Sequence, residues 1–299
     1  MIEVRRLTKV YGAGRAVDRL TFTVKSGVVT GFLGPNGAGK TTTLRMVMGL
    51  DRPTEGTATV AGRRYADLAD PLRTVGALLD ARAVHPRRTA RDHLRCLAAS
   101  GGIADRRVDD VLGLVGLDQA ARRRAGEFSL GMSQRLGIAA ALLGDPEVLV
   151  LDEPVNGLDP EGIWWIRGFM RSLAAEGRTV LVSSHLMSEM SVTADHLIVI
   201  GRGRLLADAG VAELTGPQSV LVRAARPAEL AGLLSAEGAS VSRSGKALTV
   251  TGMGSAAIGA LAAVRGLALI ELTPQRTTLE EAYMGLTGDS VEFGGGGAS

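Results

Sequence analysis

The segment GPNGAGKTT, from Gly34 to Thr42, has the residue types and the spacing of a phosphate-binding loop. It fits the pattern G-x-x-x-x-G-K-[ST], with an apolar, strand-like stretch before it and a helix-like stretch, TTTLRMVMGL, after it. Gly37 and Gly39 let the backbone curl so that its N–H groups face phosphate oxygens at a helix N-terminus. We expect Lys40 to neutralise β and γ oxygens and the Thr41 hydroxyl to bind Mg²⁺. A glycine-rich turn with an incidental lysine is the alternative.

Two adjacent carboxylates, Asp152 and Glu153, end the apolar run EVLVLDEP. Paired acids at the end of a buried strand are costly unless a cation or a polar ligand lies beside them. We expect Asp152 to hold Mg²⁺, directly or through water, and Glu153 to polarise an attacking water molecule. A helix-capping acid pair is the alternative.

A histidine, His185, follows the next apolar run, RTVLVSSH. Both runs have the length and β-branched content of buried parallel strands, and the carboxyl ends of such strands share the edge where open α/β sheets bind ligands. Taken alone, His185 is a structural histidine with a hydrogen-bond partner. Beside the phosphate loop and the carboxylates, it is predicted to contact a γ-phosphate.

The stretch FSLGMSQR, which begins at Phe128, resembles the signature of the ATP-binding cassette (ABC) family. That signature is usually Leu-Ser-Gly-Gly-Gln followed by Gln-Arg, and Phe128, Leu130 and Met132 depart from it. Two elements remain: Ser129, a small hydroxyl residue at a helix start, and Gly131, which permits close backbone approach. The resemblance covers roughly residues 1–215.

Other family marks stand at matching positions. NGLD resembles the D-loop, which ends here in Asp159; His185 resembles the switch histidine; and Tyr11 resembles the aromatic residue that stacks on adenine. A half-buried strand tyrosine is the alternative for Tyr11. The phosphate loop and the resemblance together predict ATP contacts at Tyr11, Gly34, Pro35, Asn36, Gly37, Ala38, Gly39, Lys40, Thr41, Thr42, Ser129, Gly131 and Asp159.

The resemblance implies a dimer. In the family, the signature closes over the γ-phosphate held by a partner subunit, so Ser129 and Gly131 are expected to bind ATP in trans. The sequence contains one phosphate loop and one signature, and two identical copies, or this chain and a paralogue, meeting head to tail would complete two sites. Both halves of the site lie in this one chain, which favours identical copies. ATP binding is therefore expected to drive formation of a homodimer.

The signature variant and the segment VGALLDARAVHPRRTARDHL are similar to those of ATPase subunits of bacterial drug, antibiotic or lipid exporters. Their membrane permease is a separate polypeptide, and residues 80–93 are expected to receive its coupling helix. Asp80 stands where most relatives have a glutamine that contacts Mg²⁺, which makes Asp80 a third candidate metal ligand. An importer ATPase and a soluble ABC ATPase of DNA repair or ribosomes are the alternatives.

The order of elements that positions these residues predicts an α/β fold. We expect a P-loop NTPase of the ABC type over residues 1–215, with a RecA-like α/β core, an antiparallel β subdomain and a helical subdomain between about 89 and 145. Strand, helix, strand, strand, helix, strand follows over 216–288 and predicts a small α+β domain of split βαβ type, with a regulatory or dimer-bracing role. Residues 289–299 are predicted to be a flexible tail.

Composition narrows the function further. No apolar run approaches the ~20 residues of a membrane-spanning helix, and the N-terminus lacks a signal-peptide pattern, so a peripheral position on the cytoplasmic face of the membrane is expected. A net charge of +3 and 3% aromatic residues argue against a nucleic-acid partner. Cys96, the single cysteine, excludes an internal disulfide and is predicted to be a small core residue.

Overall fold

The structure is a computed structural model of the 299-residue chain, and it describes residues 1–215, 219–275 and 278–287. These residues form two compact units, and the chain passes from the first to the second between Ala209 and Gly210. The predicted flexible tail, 289–299, lies outside the described residues. In the part of the chain that the structure describes, no helix is both long enough and apolar enough to cross a membrane.

The first unit contains two sheets and seven α-helices among its described residues. Its strands are β1 (Ile2–Tyr11), β2 (Gly14–Val24), β3 (Val29–Leu33), β4 (Glu55–Val60), β5 (Val75–Leu78), β6 (Val148–Asp152), β7 (Thr179–Ser184), β8 (His196–Gly201) and β9 (Arg204–Gly210). Its helices are α1 (Lys40–Val47), α2 (Pro71–Thr74), α3 (Ala90–Ser100), α4 (Arg106–Leu114), α5 (Leu130–Leu142), α6 (Pro160–Ala175) and α7 (Met187–Thr193).

A six-stranded sheet in the order β5-β6-β7-β3-β8-β9 forms the centre of this unit. Its strands from β5 to β8 run parallel, and every residue of β3, β6 and β7 is buried. Near-continuous apolar runs are required for strands covered on both faces. Because β3, β6 and β7 are neighbours, the segments that follow them emerge side by side at one edge of the sheet.

An antiparallel sheet in the order β2-β1-β4 packs its apolar side chains into the same core as β3, β6 and β8. Alternation along β2 directs Leu20, Phe22 and Val24 inward. The rings of Phe22 and Phe32 lie 5.5 Å apart and join the two sheets. This contact fixes the antiparallel sheet beside the edge where β3 ends.

The predicted helical segment contains α3, α4 and α5. Thr89 caps α3: its hydroxyl accepts a hydrogen bond from Asp92 N–H and donates one to Asp92 Oδ2, as the spacing of these residues predicts. The prediction that Cys96 is a core residue is wrong, because the Cys96 side chain is exposed. Leu94 and Ala98 face the core one turn apart, and Cys96 is about 200° around the helix from each of them.

The second unit has its own sheet and core. It contains α8 (Val211–Thr215), β10 (Ser219–Ala224), α9 (Pro227–Ala236), β11 (Ser240–Ser244), β12 (Ala247–Thr251), α10 (Ser255–Val264), β13 (Leu269–Gln275) and α11 (Leu279–Thr287). The antiparallel order β11-β12-β10-β13 is that of a split βαβ unit. Val222, Leu230, Leu234, Leu248 and Ile258 are fully buried in its core.

Candidate functional site

The loop between β3 and α1 has backbone conformations that require glycine. Gly37 and Gly39 have φ values of 79° and 99°, in the left-handed region. A Cβ atom on Gly39 would lie 2.5 Å from the carbonyl oxygen of Ala16, so the loop and β2 approach too closely for a side chain. Gly39 precedes the first residue of α1, and the loop therefore places the N-terminus of a helix beside a depression lined by the loop residues and Glu153.

Lys40 is buried below this loop. Its Nζ donates a 2.7 Å hydrogen bond to the carbonyl oxygen of Gly34 and lies 3.7 Å from Glu153 Oε1. A buried ammonium is costly unless polar partners compensate for lost water, and here a carbonyl and a carboxylate do so. The lysine is therefore held between the loop and the end of β6.

Asp152, at the end of β6, receives two hydroxyl groups. Thr41 Oγ1 donates a 2.7 Å hydrogen bond to Asp152 Oδ2, and Ser183 Oγ donates to Asp152 Oδ1. The carboxylate is buried. The described residues hold no group of three or more His, Cys, Asp or Glu side chains that could bind a metal unaided. The hydroxyl and carboxylate oxygens of Thr41 and Asp152 still fit Mg²⁺, which keeps several waters and takes substrate phosphate oxygens as ligands.

Glu153 lies at the centre of the site in a strained conformation. Its φ is 50°, which is uncommon for a residue other than glycine. Its N–H donates a 3.0 Å hydrogen bond to Ser183 Oγ, and its carbonyl accepts one of 3.1 Å from Gln134 Nε2. The carboxylate points to the sheet edge, where Oε2 is 2.9 Å from Nδ1 of His185. Strained residues of this kind cluster at functional sites.

The signature residues lie at the start of α5, next to the loop before α6. Ser129 caps α5 by accepting a hydrogen bond from Met132 N–H, and a Cβ atom on Gly131 would lie 2.7 Å from the carbonyl oxygen of Gly157. Asp159 caps α6 by accepting a bond from Gly162 N–H. Among the described residues, no hydrogen bond joins Ser129 or Asp159 to the loop from Gly34 to Thr42.

The remaining predicted site residues lie on the surface. Tyr11, at the end of β1, is 51% exposed and donates a 3.1 Å hydrogen bond to Asp51 Oδ2. Asp80, in the loop after β5, accepts a 2.8 Å hydrogen bond from Arg82 N–H, which directs its carboxylate into its own loop. Nothing in these contacts brings either residue to Asp152.

A tight turn connects the phosphate loop to the antiparallel sheet. Arg202 and Gly203, both with positive φ, join β8 to β9. Gly203 N–H donates a 3.0 Å hydrogen bond to the carbonyl of Ala38, and the Gly203 carbonyl accepts a 2.8 Å bond from Asp18 N–H on β2. The buried Asp18 carboxylate in turn forms an ion pair of 2.8 Å with Arg204. Loop, turn and sheet are therefore hydrogen-bonded in series.

Two residues that hold the site were not predicted from the sequence. Ser183 bonds to both Asp152 and Glu153, and Gln134 bonds to the Glu153 backbone. Ser183 stands two positions before His185, and this closeness was a usable signal. Gln134 also carried a signal, because Gln134 and Arg135 match the Gln-Arg pair that follows the signature in the family.

Comparison with known proteins agrees with this geometry. A family model described as "ABC transporter" matches residues 17–156, and one described as a domain of unknown function (DUF8746) matches 218–280. The bacitracin transport ATP-binding protein BcrA of Bacillus licheniformis is 44% identical over 70% of this chain and 69% of its own. The uncharacterized ABC transporter ATP-binding protein YhcH of Bacillus subtilis is 33% identical over 98% of this chain and 97% of its own.

Solved structures match as well. An ATP-binding subunit of an ABC transporter has a TM-score of 0.66 and 28% identity, over 72% of this chain and 91% of its own. The ATP-binding cassette MJ0796, in a dimeric post-hydrolysis state bound to ADP and Pi, has a TM-score of 0.65 and 25% identity, over 71% of this chain and 99% of its own. These matches confirm the predicted fold class. The chain belongs to the ABC transporter family as an ATP-binding subunit, and it is an ATPase.

Proposed function

We propose that this chain is the ATP-hydrolysing subunit of an exporter that moves a drug-like, antibiotic or lipid substrate through a separate transmembrane permease. The observation that carries the hydrolytic part is the convergence of Lys40, Asp152, Glu153 and His185 at one edge of the sheet. Similarity to bacitracin transport proteins and to the lantibiotic transport ATP-binding protein SrtF of Streptococcus pyogenes supports export of antibiotic-like compounds.

The residues divide the chemistry among them. Lys40 and the N–H groups of the loop hold the β- and γ-phosphates of ATP. Glu153 accepts a proton from the water whose oxygen bonds to the γ-phosphorus, while the bond to the β–γ bridging oxygen breaks and ADP leaves. His185, whose Nδ1 lies beside Glu153, has Nε2 available to steady the γ-phosphate.

Thr41 and Asp152 are the residues that would hold Mg²⁺. When bound, the metal would neutralise charge that develops on the phosphate oxygens. The Thr41 hydroxyl already points at the Asp152 carboxylate, so both oxygen ligands are in place next to the loop. Asp80 would join them only if its loop moved towards Asp152, and its role stays a proposal.

A second copy of the chain completes the site. Ser129 and Gly131 lie at the start of α5 with no hydrogen bond from Ser129 to the phosphate loop in the described part of the chain, which supports binding in trans. Asp159 caps the neighbouring helix and belongs to the same surface. We propose a head-to-tail homodimer that closes on ATP and opens after hydrolysis. Tyr11 would stack on adenine, which its exposure permits.

The permease would dock on a groove next to the signature. Val84, Pro86, Phe128, Leu130 and Leu136 line this groove between residues 80–93 and the start of α5. The subunit would then sit as a peripheral protein on the cytoplasmic face of the membrane. We propose that residues 1–215 act as the ATPase domain and residues 216–288 as a dimer-bracing or regulatory domain. The last element of the proposed ATPase domain, α8, belongs to the second compact unit of the structure.

Two experiments test the proposal. Glu153→Gln removes the proton acceptor but keeps the size of the side chain, and we expect it to lower kcat by at least ~100-fold and to trap an ATP-bound dimer on size-exclusion chromatography. Full turnover in this variant would remove Glu153 from its role. A tagged copy expressed in its own host should co-purify from membranes with a polytopic protein, and recovery only from the soluble fraction would refute the transport claim.

A further inference from the structure

Gln134 is a buried polar side chain on α5 that contacts the backbone of Glu153. It is 4% exposed, and its Nε2 donates a 3.1 Å hydrogen bond to the Glu153 carbonyl oxygen. Gln134 lies five positions after Ser129, the cap of the same helix, and Leu136 and Ile138 that follow it are fully buried. The amide therefore makes its hydrogen bond among buried apolar side chains, where an unpaired amide would cost free energy.

The position of this bond matters because the Glu153 backbone is strained. With φ at 50°, Glu153 depends on its surroundings to keep its conformation. Its N–H belongs to the peptide group before its Cα and is bonded to Ser183 Oγ. Its carbonyl belongs to the peptide group after its Cα and accepts a 3.1 Å bond from Gln134 Nε2 and a 3.2 Å bond from Asn156 N–H. Together these bonds hold both peptide planes, and so they hold the direction in which the carboxylate leaves the backbone.

The bonds with Ser183 and Gln134 connect Glu153 to different parts of the unit. Ser183 is in β7, within the central sheet, whereas Gln134 is on α5, the helix that starts with the signature. A shift of α5 relative to the sheet therefore changes the Gln134 bond and leaves the bonds with Ser183 and Asn156 in place. The Gln134 bond is thus the contact through which the position of α5 acts on the peptide group after Glu153.

We propose that Gln134 is a positioning residue that couples the signature to hydrolysis within one chain. When Ser129 contacts the nucleotide bound to the partner, a change in the position of α5 acts through Gln134 on the Glu153 backbone. The Glu153 carboxylate is thereby placed next to the water of the chain's own site. This inference rests on the roles proposed above for Ser129 and Glu153. In this way, closure of one ATP site of the dimer positions the glutamate of the other site.

The test replaces the donor without emptying the space. Gln134→Met keeps an unbranched side chain of similar length and loses the N–H group. We expect kcat to fall at least tenfold and the KM for ATP to stay within twofold. The variant should also accumulate ATP-bound dimer on size-exclusion chromatography, as Glu153→Gln does, because closure is retained and hydrolysis is slowed.

A matched control lies one turn along the same helix. Ile138 is fully buried on α5, and its apolar side chain makes no hydrogen bond to the Glu153 backbone. Ile138→Met makes a comparable change in packing, and we expect its kcat to stay within twofold of the unmodified chain. Where Gln134→Met does not fold, Gln134→Asn serves instead, since it keeps an amide that is one methylene too short to reach the carbonyl.

The outcomes separate this inference from the proposed function. Full turnover of Glu153→Gln would overturn the role of Glu153, whatever Gln134→Met does. An inactive Glu153→Gln together with an unchanged kcat in Gln134→Met would overturn the coupling alone. A rise in KM, or loss of the ATP-bound dimer in Gln134→Met, would also overturn it, because that result indicates damage to the signature helix rather than to the direction of Glu153.

Discussion

Thr41 and Asp152 are 111 positions apart in the chain, and the Thr41 hydroxyl donates a 2.7 Å hydrogen bond to Asp152 Oδ2. One residue comes from the first turn of α1 and the other from the end of β6. Their contact connects the phosphate loop directly to the acidic end of the neighbouring strand. These two oxygen atoms are the ones that would hold Mg²⁺.

This pair gives the first prediction. Thr41→Val keeps the shape of the side chain and removes the hydroxyl, and we expect kcat to fall at least ~10-fold, equivalent to about 1.4 kcal/mol of lost transition-state stabilisation. Thr41→Ser keeps the hydroxyl and should stay within a few-fold of the unmodified chain. Steady-state ATPase rates over a Mg²⁺ titration provide the measurement. Equal rates for the valine and serine variants would contradict a role for the hydroxyl.

A second prediction concerns the buried Asp18 carboxylate. Burial raises its pKa, but hydrogen bonds from Arg204 and Arg15 outweigh burial and hold the pKa below the ordinary value of 3.8. Because the pKa is lower in the folded state, the charged form stabilises the fold above pH 3.8, and this contribution disappears as the pH falls through the folded-state pKa.

The corresponding variant is Asp18→Asn. At pH 7 we expect it to unfold at a lower temperature than the unmodified chain, with a measurable decrease in Tm. As the pH falls from 3.8 through the lower folded-state pKa, the difference in Tm between the two should shrink towards zero, because the unmodified carboxyl becomes neutral in the folded state as well. Thermal unfolding followed by circular dichroism at pH 7 and across this acidic range tests this. A difference that does not depend on pH would exclude the carboxylate charge as its source.

A third prediction concerns packing between β5 and α5. A Cβ atom on Gly76 would lie 1.9 Å from the carbonyl oxygen of Ala141, which the backbone cannot accommodate without moving. We expect Gly76→Ala to destabilise the fold by about 1–3 kcal/mol, the usual cost of overpacking. The midpoint of urea unfolding measures this change.

Gly113 provides the opposite case for the same substitution. It lies within α4, and a Cβ atom there meets nothing within 4 Å. Gly113→Ala should therefore stabilise the fold by roughly 0.5–1 kcal/mol, because alanine restricts the unfolded chain and favours a helix. If both variants shifted the midpoint in the same direction, the close approach at Gly76 would not be the cause.

Much of the fold could be predicted because the signals are local. The buried strands β6 and β7 are unbroken apolar runs, and the phosphate loop has a fixed spacing of glycines, so Lys40 and Asp152 could be placed at one sheet edge from the sequence. In the second unit, alternating apolar patterns and two apolar helix patterns in the sequence predicted the observed order of β10, α9, β11, β12, α10 and β13. Cys96 was wrongly predicted to be buried from its residue type alone. The spacing of Leu94 and Ala98 indicated that Cys96 lies on the opposite face of α3 from these two residues.

The rest depends on contacts between distant segments. Glu153, whose φ is positive, is held by bonds to Ser183 and Gln134, and both partners come from segments distant from it in sequence. The short path from Asp18 through Gly203 to Ala38 joins three segments that are far apart in sequence. No periodicity predicts such a path, because periodicity reports which face of an element is buried and not which element covers it.

A fourth prediction concerns the second unit, which has a core of its own. We expect a Glu153→Gln chain that ends after Thr215 to form less ATP-bound dimer than the full-length Glu153→Gln chain at the same protein and ATP concentrations. Light scattering coupled to size-exclusion chromatography measures the fraction. If the second unit regulates turnover without bracing the dimer, the two dimer fractions will be equal. The ATPase rates of the truncated and full-length chains that retain Glu153 will then differ.

The turn at Gly203 has a consequence for ligand selection. Its hydrogen bonds to Ala38 and Asp18 join the phosphate loop to the hairpin of β1 and β2, where Tyr11 lies. The phosphate loop and the surface that we propose meets the base are therefore held at a fixed separation. We expect a ligand whose length differs from that of a nucleoside triphosphate to lose contact with one of these two surfaces.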